Sequence, residues 1–227
     1  MGILLALLIN GSAMAATILT FDATGIFNGA VLDQNYGDRV TGPSNAFGSY
    51  GTTDGNYTPN VLVDNGLMQA RLWTTGYGNL TNVFYEDQDG VDLSFTLTAD
   101  SGFLVRLQSF DLASFGAVGT ITPEAVSVRD GSGNLLFALD SLTVSSTARN
   151  TLTPQVAASQ LVVTIRASAL GLSSDNVALD NITFSQEAAP TDGVPEPGTW
   201  ATVAGALIGL LVVRRRRISP QPQNLIH

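Results

Sequence analysis

The chain has 227 residues with 19 acidic and 10 basic side chains, a formal net charge of −9, no cysteine and a single histidine, His227. All 19 acids lie ahead of a C-terminal run of four arginines and meet only six arginines there, so that part of the chain carries −13 and no lysine. Such a surplus excludes the positive footprint that DNA or RNA demands, the missing thiols exclude disulfide staples, thiolate catalysis and iron–sulfur ligation, and the missing imidazoles exclude Ser-His-Asp hydrolysis from everything ahead of position 227. The charge suits divalent cations, neutral glycans and solubility in a crowded exterior. The catalytic route left to these side chains is a carboxylate pair, as in glycoside hydrolysis.

Residues 1–15 are apolar and end on the small-residue pattern Ala13-Met14-Ala15. That predicts a secretory signal peptide cleaved after Ala15, since the stretch is too short for a spanning helix. Residues 16–187 then supply one sandwich-sized domain with a real core. An early strand is expected at 17–21. Residues 24–60 differ in texture, being rich in Gly, Asn, Asp, Ser and Thr, and predict long loops with a short strand at most.

All five tyrosines (Tyr36, Tyr50, Tyr57, Tyr77 and Tyr85) and Trp73 fall between positions 36 and 85. Two readings stand. Trp73, Tyr77 and Tyr85 are candidates for a sugar platform, with rings stacking on an apolar sugar face; equally, such aromatics cap the core and edges of a sandwich. The acidic stretch Glu86-Asp87-Gln88-Asp89-Gly90-Val91-Asp92 offers hard oxygen ligands for calcium or is a solvated turn.

From there the pattern is β throughout. Residues 91–98 and 103–115 alternate apolar and polar, with Asp100-Ser101-Gly102 as the turn between them. Residues 126–129 and 135–139 flank Asp130-Gly131-Ser132-Gly133-Asn134, a hairpin signal in which glycine supplies positive φ. Late strands are expected at 161–166 and 177–185. No window between the two ends sustains a helical period over three turns. Strands about ten residues apart with Gly-rich turns predict an all-β, two-sheet sandwich. Asp180 interrupts the apolar terminal strand, so it is either paired or metal-bound if buried, or it faces solvent.

Residues 188–193 read as a linker. Val194-Pro195-Glu196-Pro197 follows, then an uncharged run over 199–213, then Arg214, Arg215, Arg216 and Arg217. The run is shorter than the ~20 residues that usually span a bilayer, and Trp200 at one interface with snorkelling arginines at the other extends it. A transmembrane helix over 199–213 is therefore expected, with the arginines as a cytoplasmic stop and residues 218–227 as a short cytoplasmic tail.

The Pro-Glu-Pro motif, the apolar run and the arginine cluster resemble the PEP-CTERM sorting signal over residues 194–217. The resemblance implies a membrane-embedded exosortase as processing partner, anchoring in the membrane before processing, and a cell-surface or extracellular destination. It also implies association with extracellular polysaccharide and biofilm. The ten residues 218–227 depart from that pattern, because such signals usually stop soon after the arginines. Residues 175–185 resemble the final strand often found just before this signal, and a jelly-roll topology is expected by analogy. In the carbohydrate-binding jelly rolls that this end resembles, an aspartate of the terminal strand ligates a structural calcium beside the first strand. That implies a calcium pair of Asp180 and Asp22. The expected function is a non-catalytic, matrix- or polysaccharide-associated β-sandwich; the alternative is a carboxylate-dependent enzyme acting on glycans.

Overall fold

The structure, a computed structural model, describes residues 16–66, 70–88, 91–116 and 118–190, and of residues 172–176 the backbone alone. The signal segment 1–15, the sorting motif, the apolar run and the arginine cluster lie outside the described residues. Among the described residues no helix is long and apolar enough to cross a membrane.

The strands in chain order are β1 Ala16–Ala23, β2 Ala30–Val31, β3 Ser44–Asn45, β4 Gly48–Thr52, β5 Val61–Asp64 and β6 Ala70–Trp73. They continue as β7 Val83–Glu86, β8 Leu93–Ala99, β9 Phe103–Ser114, β10 Gly119–Ile121, β11 Val126–Asp130 and β12 Leu135–Leu139. The last are β13 Leu142–Val144, β14 Asn150–Leu152, β15 Val156–Ala158, β16 Gln160–Ile165 and β17 Val177–Ala188. A 3-10 helix, Ala167–Asn176, joins β16 to β17. The fold is all-β and sandwich-like, as the alternation predicts.

Among the described residues every strand pairing is antiparallel. One sheet runs β12-β11-β16-β8-β5. The larger sheet is built around β17, which pairs along its whole length with β9 on one side. On its other side β17 pairs first with β7 at Ala178 and Leu179, then with β1 from Ile182 to Ser185. β6 and β2 extend the β7 side, and β4 and β3 extend the β1 side.

Alternating side chains of both sheets meet in one core. Phe95 of β8 packs edge-on against Phe110 of β9, their ring centroids 6.2 Å apart. Phe21, Tyr36 and Phe84 form a second knot, with Phe21 at 5.6 Å from each of the other two. Burial of these rings, with the aliphatic side chains around them, supplies the driving force a disulfide-free domain needs.

The turn at Asp100-Ser101-Gly102 forms as expected, with Gly102 at φ 86° and Phe103 N–H bonded to the Asp100 carbonyl at 3.0 Å. It does not close a hairpin. β8 belongs to the five-stranded sheet and β9 to the larger one, so the turn carries the chain from one layer to the other. The hairpin at 130–134 is as the sequence suggests: Gly133 has φ 85°, and the Asp130 carboxylate accepts from Ser132 N–H, Asn134 N–H and Asn134 Nδ2. The terminal strand runs on to Ala188, past the expected end of the domain, and Ala189 N–H still bonds to Gly102 at 2.9 Å.

Candidate functional site

β17 reads Val177-Ala178-Leu179-Asp180-Asn181-Ile182-Thr183-Phe184, and Val177, Leu179, Ile182 and Phe184 all face the core. Strict period-2 alternation would put either Asp180 or Asn181 inside. Instead the strand takes one extra residue there. Asn181 adopts φ 51° and the ladder with β9 shifts register between Asp180 and Thr183. β9 carries the matching skip, since Leu107 and Phe110 both point inward. A bulge of this kind re-aims side chains and is favoured beside functional sites.

β1 is bulged at the same level. Its register with β4 shifts between Ile18 and Asp22, and Phe21 sits at φ 52°, an uncommon conformation for a bulky side chain. Just before β7, Asn82 is a third left-handed residue at φ 58°. Its Nδ2 donates to Asp22 Oδ1, while Thr20 Oγ1 donates to Asp22 Oδ2 at 2.9 Å. β17 exchanges its partner β7 for β1 at Asp180–Asn181, and that junction is where these conformations gather.

The result is an open recess of about 220 Å³ lined by Thr20, Asp22, Asn79, Leu80, Thr81, Arg149, Asp180 and Asn181. Asp22 and Asp180, remote in sequence, therefore share one site. Asp180 is only 4 % exposed and Asp22 is exposed. Asp111 of β9, which sequence reasoning did not single out, stands directly across the ladder from Asp180. Asn181 Nδ2 donates to Asp111 Oδ2 at 2.9 Å and to Asp180 Oδ2 at 3.1 Å, and its backbone N–H donates to Asp180 Oδ1 at 2.7 Å. Thr151 Oγ1 donates to Asp111 at 2.5 Å, and Arg149 Nη1 lies 3.4 Å from the same carboxylate.

Like charges facing each other across a ladder are destabilising. Burial pushes the Asp180 carboxyl up to about 8, and the neighbouring Asp111 and Asp22 carboxylates add to the rise against the lowering effect of Asn181 N–H and Arg149. The recess is rich in hard oxygen: two carboxylates, the Thr20 hydroxyl and the side-chain carbonyls of Asn79 and Asn181. Among the described residues no three of His, Cys, Asp and Glu stand close enough together to ligate one ion. A cation here would be held by Asp22 and Asp180 with neutral oxygens completing the shell, and the donor chemistry suits calcium.

The three aromatic candidates also meet. Trp73 and Tyr85 are edge-on at 6.0 Å, Tyr77 and Tyr85 lie 6.1 Å apart, and Phe115 contacts Trp73 at 5.7 Å and Tyr77 at 5.5 Å. They form a satellite cluster with Leu80, Val83, Ala113 and Ala178. Tyr77 and Tyr85 are 3 % and 5 % exposed and present no open ring face; the accessible aromatic surface belongs to Trp73 and to Phe115, 40 % exposed. Leu80 belongs both to this cluster and to the wall of the recess, so the aromatic packing braces the site.

The described carboxylates of the acidic stretch, Glu86, Asp87 and Asp92, are placed in different surroundings. Glu86 is buried at the end of β7, and burial pushes its carboxyl upward. Asp87 turns outward to Arg71 at 3.4 Å, and Asp92 accepts from the hydroxyl of Ser168. Asp89 and Gly90 lie outside the described residues. No protein-family model, no curated protein and no solved structure matches the chain.

Proposed function

We propose that the chain is an exported, PEP-CTERM-type substrate of an exosortase whose jelly-roll-like β-sandwich binds extracellular polysaccharide without cleaving it. On this reading it is membrane-anchored before processing, then at the cell surface or extracellular, and serves the matrix of a biofilm. The observation that carries the binding role is the meeting of Asp22, Asp180, Asn79, Asn181 and Arg149 in one open, polar recess. Carboxylates, carboxamides and a guanidinium in a fixed array are the groups that exchange hydrogen bonds with vicinal hydroxyls. The exposed parts of Trp73 and Phe115, on the neighbouring cluster, are suited to an apolar sugar face. Calcium would be the ion of the recess, carried by Asp22 and Asp180. The sorting role is supported by the order of Val194-Pro195-Glu196-Pro197, the apolar run and Arg214 to Arg217.

The test is a glycan array probed with residues 16–190, with and without calcium, beside Asp180→Ala and Asn181→Ala. Binding to one glycan class, lost in both variants, supports the reading; no binding to any glycan, or binding indifferent to both variants, overturns the assignment of this recess. One observation favours the alternative of a carboxylate-dependent glycan hydrolase. Asp180, kept protonated near neutral pH by burial, stands in one recess with the solvent-facing Asp22, and two carboxyls in such unlike surroundings are how acid and base roles are divided. Reproducible product release from a polysaccharide panel, abolished by Asp180→Asn, would establish that alternative in place of the non-catalytic role.

A further inference from the structure

The outer face of the five-stranded sheet is hollowed at one end. Val61, Val63, Leu97 and Leu161 turn into the core, so alternation puts Leu62, Thr98 and Gln160 on the opposite face. The ladders set these three side by side. Leu62 lies opposite Thr98 and Thr98 opposite Gln160, whose Nε2 donates to Thr98 Oγ1 at 3.0 Å. This half-buried row floors two open hollows, of about 420 and 450 Å³, that meet at Thr98. Volumes of that order are usual for ligand sites. One hollow ends on the segment 34–38, held against the edge of β5 by the bond from Val63 N–H to Asp38 Oδ1. The other ends on the turn at 130–132, where a Cβ on Gly131 would stand 2.8 Å from Gln160 Oε1. From that segment across β5, β8 and β16 to the turn, the groove runs roughly 19 Å at right angles to the strands, at the usual strand spacing.

We propose that this groove is a second glycan site, which takes an extended, uncharged polysaccharide and lets one molecule bridge two polysaccharide chains. Among the described residues its lining holds the carboxylates of Asp38, Asp64 and Asp130, the amides of Gln34, Asn35 and Gln160, and no cationic side chain. An anionic polymer meets like charge there, whereas sugar hydroxyls donate to carboxylates and exchange hydrogen bonds with amides. The lining is also held in place. Asp64 Oδ1 accepts from Gln34 Nε2 at 3.0 Å and from Gly66 N–H at 2.9 Å, which leaves Oδ2 to a ligand. An extended peptide fits less well, because β8 and β16 are paired on both sides and the floor offers it no strand edge. The groove is long enough for several sugar units, so it reads the interior of a polymer. The recess at Asp22 and Asp180 belongs to the other sheet, and packed sheets lie about 10 Å apart, so one sugar unit does not occupy both sites. The bridging rests on the polysaccharide-binding reading of that recess; the groove does not.

The full chain is purified in detergent micelles and its retention measured on beads of a neutral glucan, mannan and galactan, with anionic alginate and polylysine beads beside them. The groove variant combines Asp64→Ala with Gln160→Ala, the recess variant is Asp180→Ala, and a third chain carries all three changes. Circular dichroism checks each fold; if Asp180→Ala does not fold, Asp22→Ala, an exposed change, takes its place. The recess variant should still be retained on a neutral polysaccharide and not on alginate. Adding the groove changes should weaken that retention roughly ten-fold or more, as loss of two hydrogen-bonding groups implies. Longer oligosaccharides of the retained polymer should displace the recess variant better than its disaccharide does. The native chain should capture a fluorescent polysaccharide onto beads of the same polymer, and the groove and recess variants should each lose that capture. If the recess variant binds no neutral polysaccharide while the native chain does, the groove is overturned and the recess reading stands. No effect of the groove changes on the recess variant also overturns the groove, and retention chiefly on polylysine assigns it to a basic peptide instead. If the groove changes alone remove all binding, the groove stands and the recess reading falls, bridging with it. Capture that survives in either single-site variant overturns the bridging.

Discussion

Asp180 and Asp111 face each other across the β17–β9 ladder, and a single side-chain amide, Asn181 Nδ2, donates to both carboxyls at 3.1 and 2.9 Å. One donor between two acids does not neutralise them. Arg149 is 3.4 Å from Asp111 and 44 % exposed, so its charge is partly screened by solvent. The arrangement is stable if Asp180 holds a proton or if a cation enters the recess, and both routes lead to measurements.

The proton route predicts a pH dependence. The Asp180 carboxyl is raised from 3.8 to about 8 by burial and by Asp111 and Asp22. Between those two values the folded chain holds a proton there that the unfolded chain has released. Stability must then fall as pH rises through that window and level off above it. Asp180→Asn mimics the protonated carboxyl and removes this slope. Urea denaturation in chelator at a series of pH values should show the native chain losing stability relative to Asp180→Asn from pH 4 upward to about pH 8. Parallel curves for the two proteins would contradict the assignment.

The cation route predicts a calcium effect that grows as Asp180 ionises. A ligand that binds only the folded state adds about 2.7 kcal/mol at ~100 times its dissociation constant. Calcium should raise the melting temperature by a few degrees at pH 8–9 and by less at pH 6, with magnesium and sodium at matched ionic strength as controls for general screening. Asp180→Ala and Asp22→Ala should each remove the rise. A calcium-specific rise that persists in Asp180→Ala would place the ion elsewhere.

Gly48 shapes the site from behind. It lies opposite Ala23 at the β1 bulge with φ 149°, and a Cβ there would stand 2.4 Å from the Asp22 carbonyl oxygen and 2.5 Å from the Ala23 Cα. Both contacts are backbone, so neither can yield by a rotamer change. Gly48→Ala should cost on the order of 1–3 kcal/mol in denaturant unfolding, from a backbone conformation that side chains rarely adopt together with this clash. Gly55→Ala, a control with φ 81° and no neighbour within 4 Å, should cost less. Equal losses would show that the clash is relieved without consequence.

Sorting is tested in cells. Glu196→Ala, or replacement of Arg214, Arg215, Arg216 and Arg217 by serine, should leave the protein unprocessed or misplaced in fractionated cells expressing an exosortase. Unchanged processing in both variants would remove the tail's proposed role.

The break in alternation at Asp180–Asn181 was legible in the chain itself. Leu179 and Ile182 are three apart, where a regular half-buried strand needs an even spacing. The same irregularity between Leu107 and Phe110 marks β9 and so marks Asp111. Alternation announced β8 and β9, the Gly-rich turn at 130–134 announced β11 and β12, and late strands were expected where β16 and β17 lie. The shorter strands β5, β6, β7, β10 and β13 to β15 carry too few residues to show a period. The 3-10 helix Ala167–Asn176 has no amphipathic stripe to announce it.

By itself the sequence determined the β class, the chemistry unavailable for lack of cysteine and histidine, and the face to which most long-strand side chains point. Those properties are local, set by side-chain type and by the alternation of Cβ along an extended backbone. Only the tertiary structure decided that the Asp100-Ser101-Gly102 turn changes sheets, that Tyr77 and Tyr85 are buried, and that Asp22 meets Asp180 with Asp111 behind it. Alternation tells which way a strand faces but not which strand lies beside it. That choice rests on contacts between residues as distant in the chain as Asp22 and Asp180, made when the two sheets close on a common core.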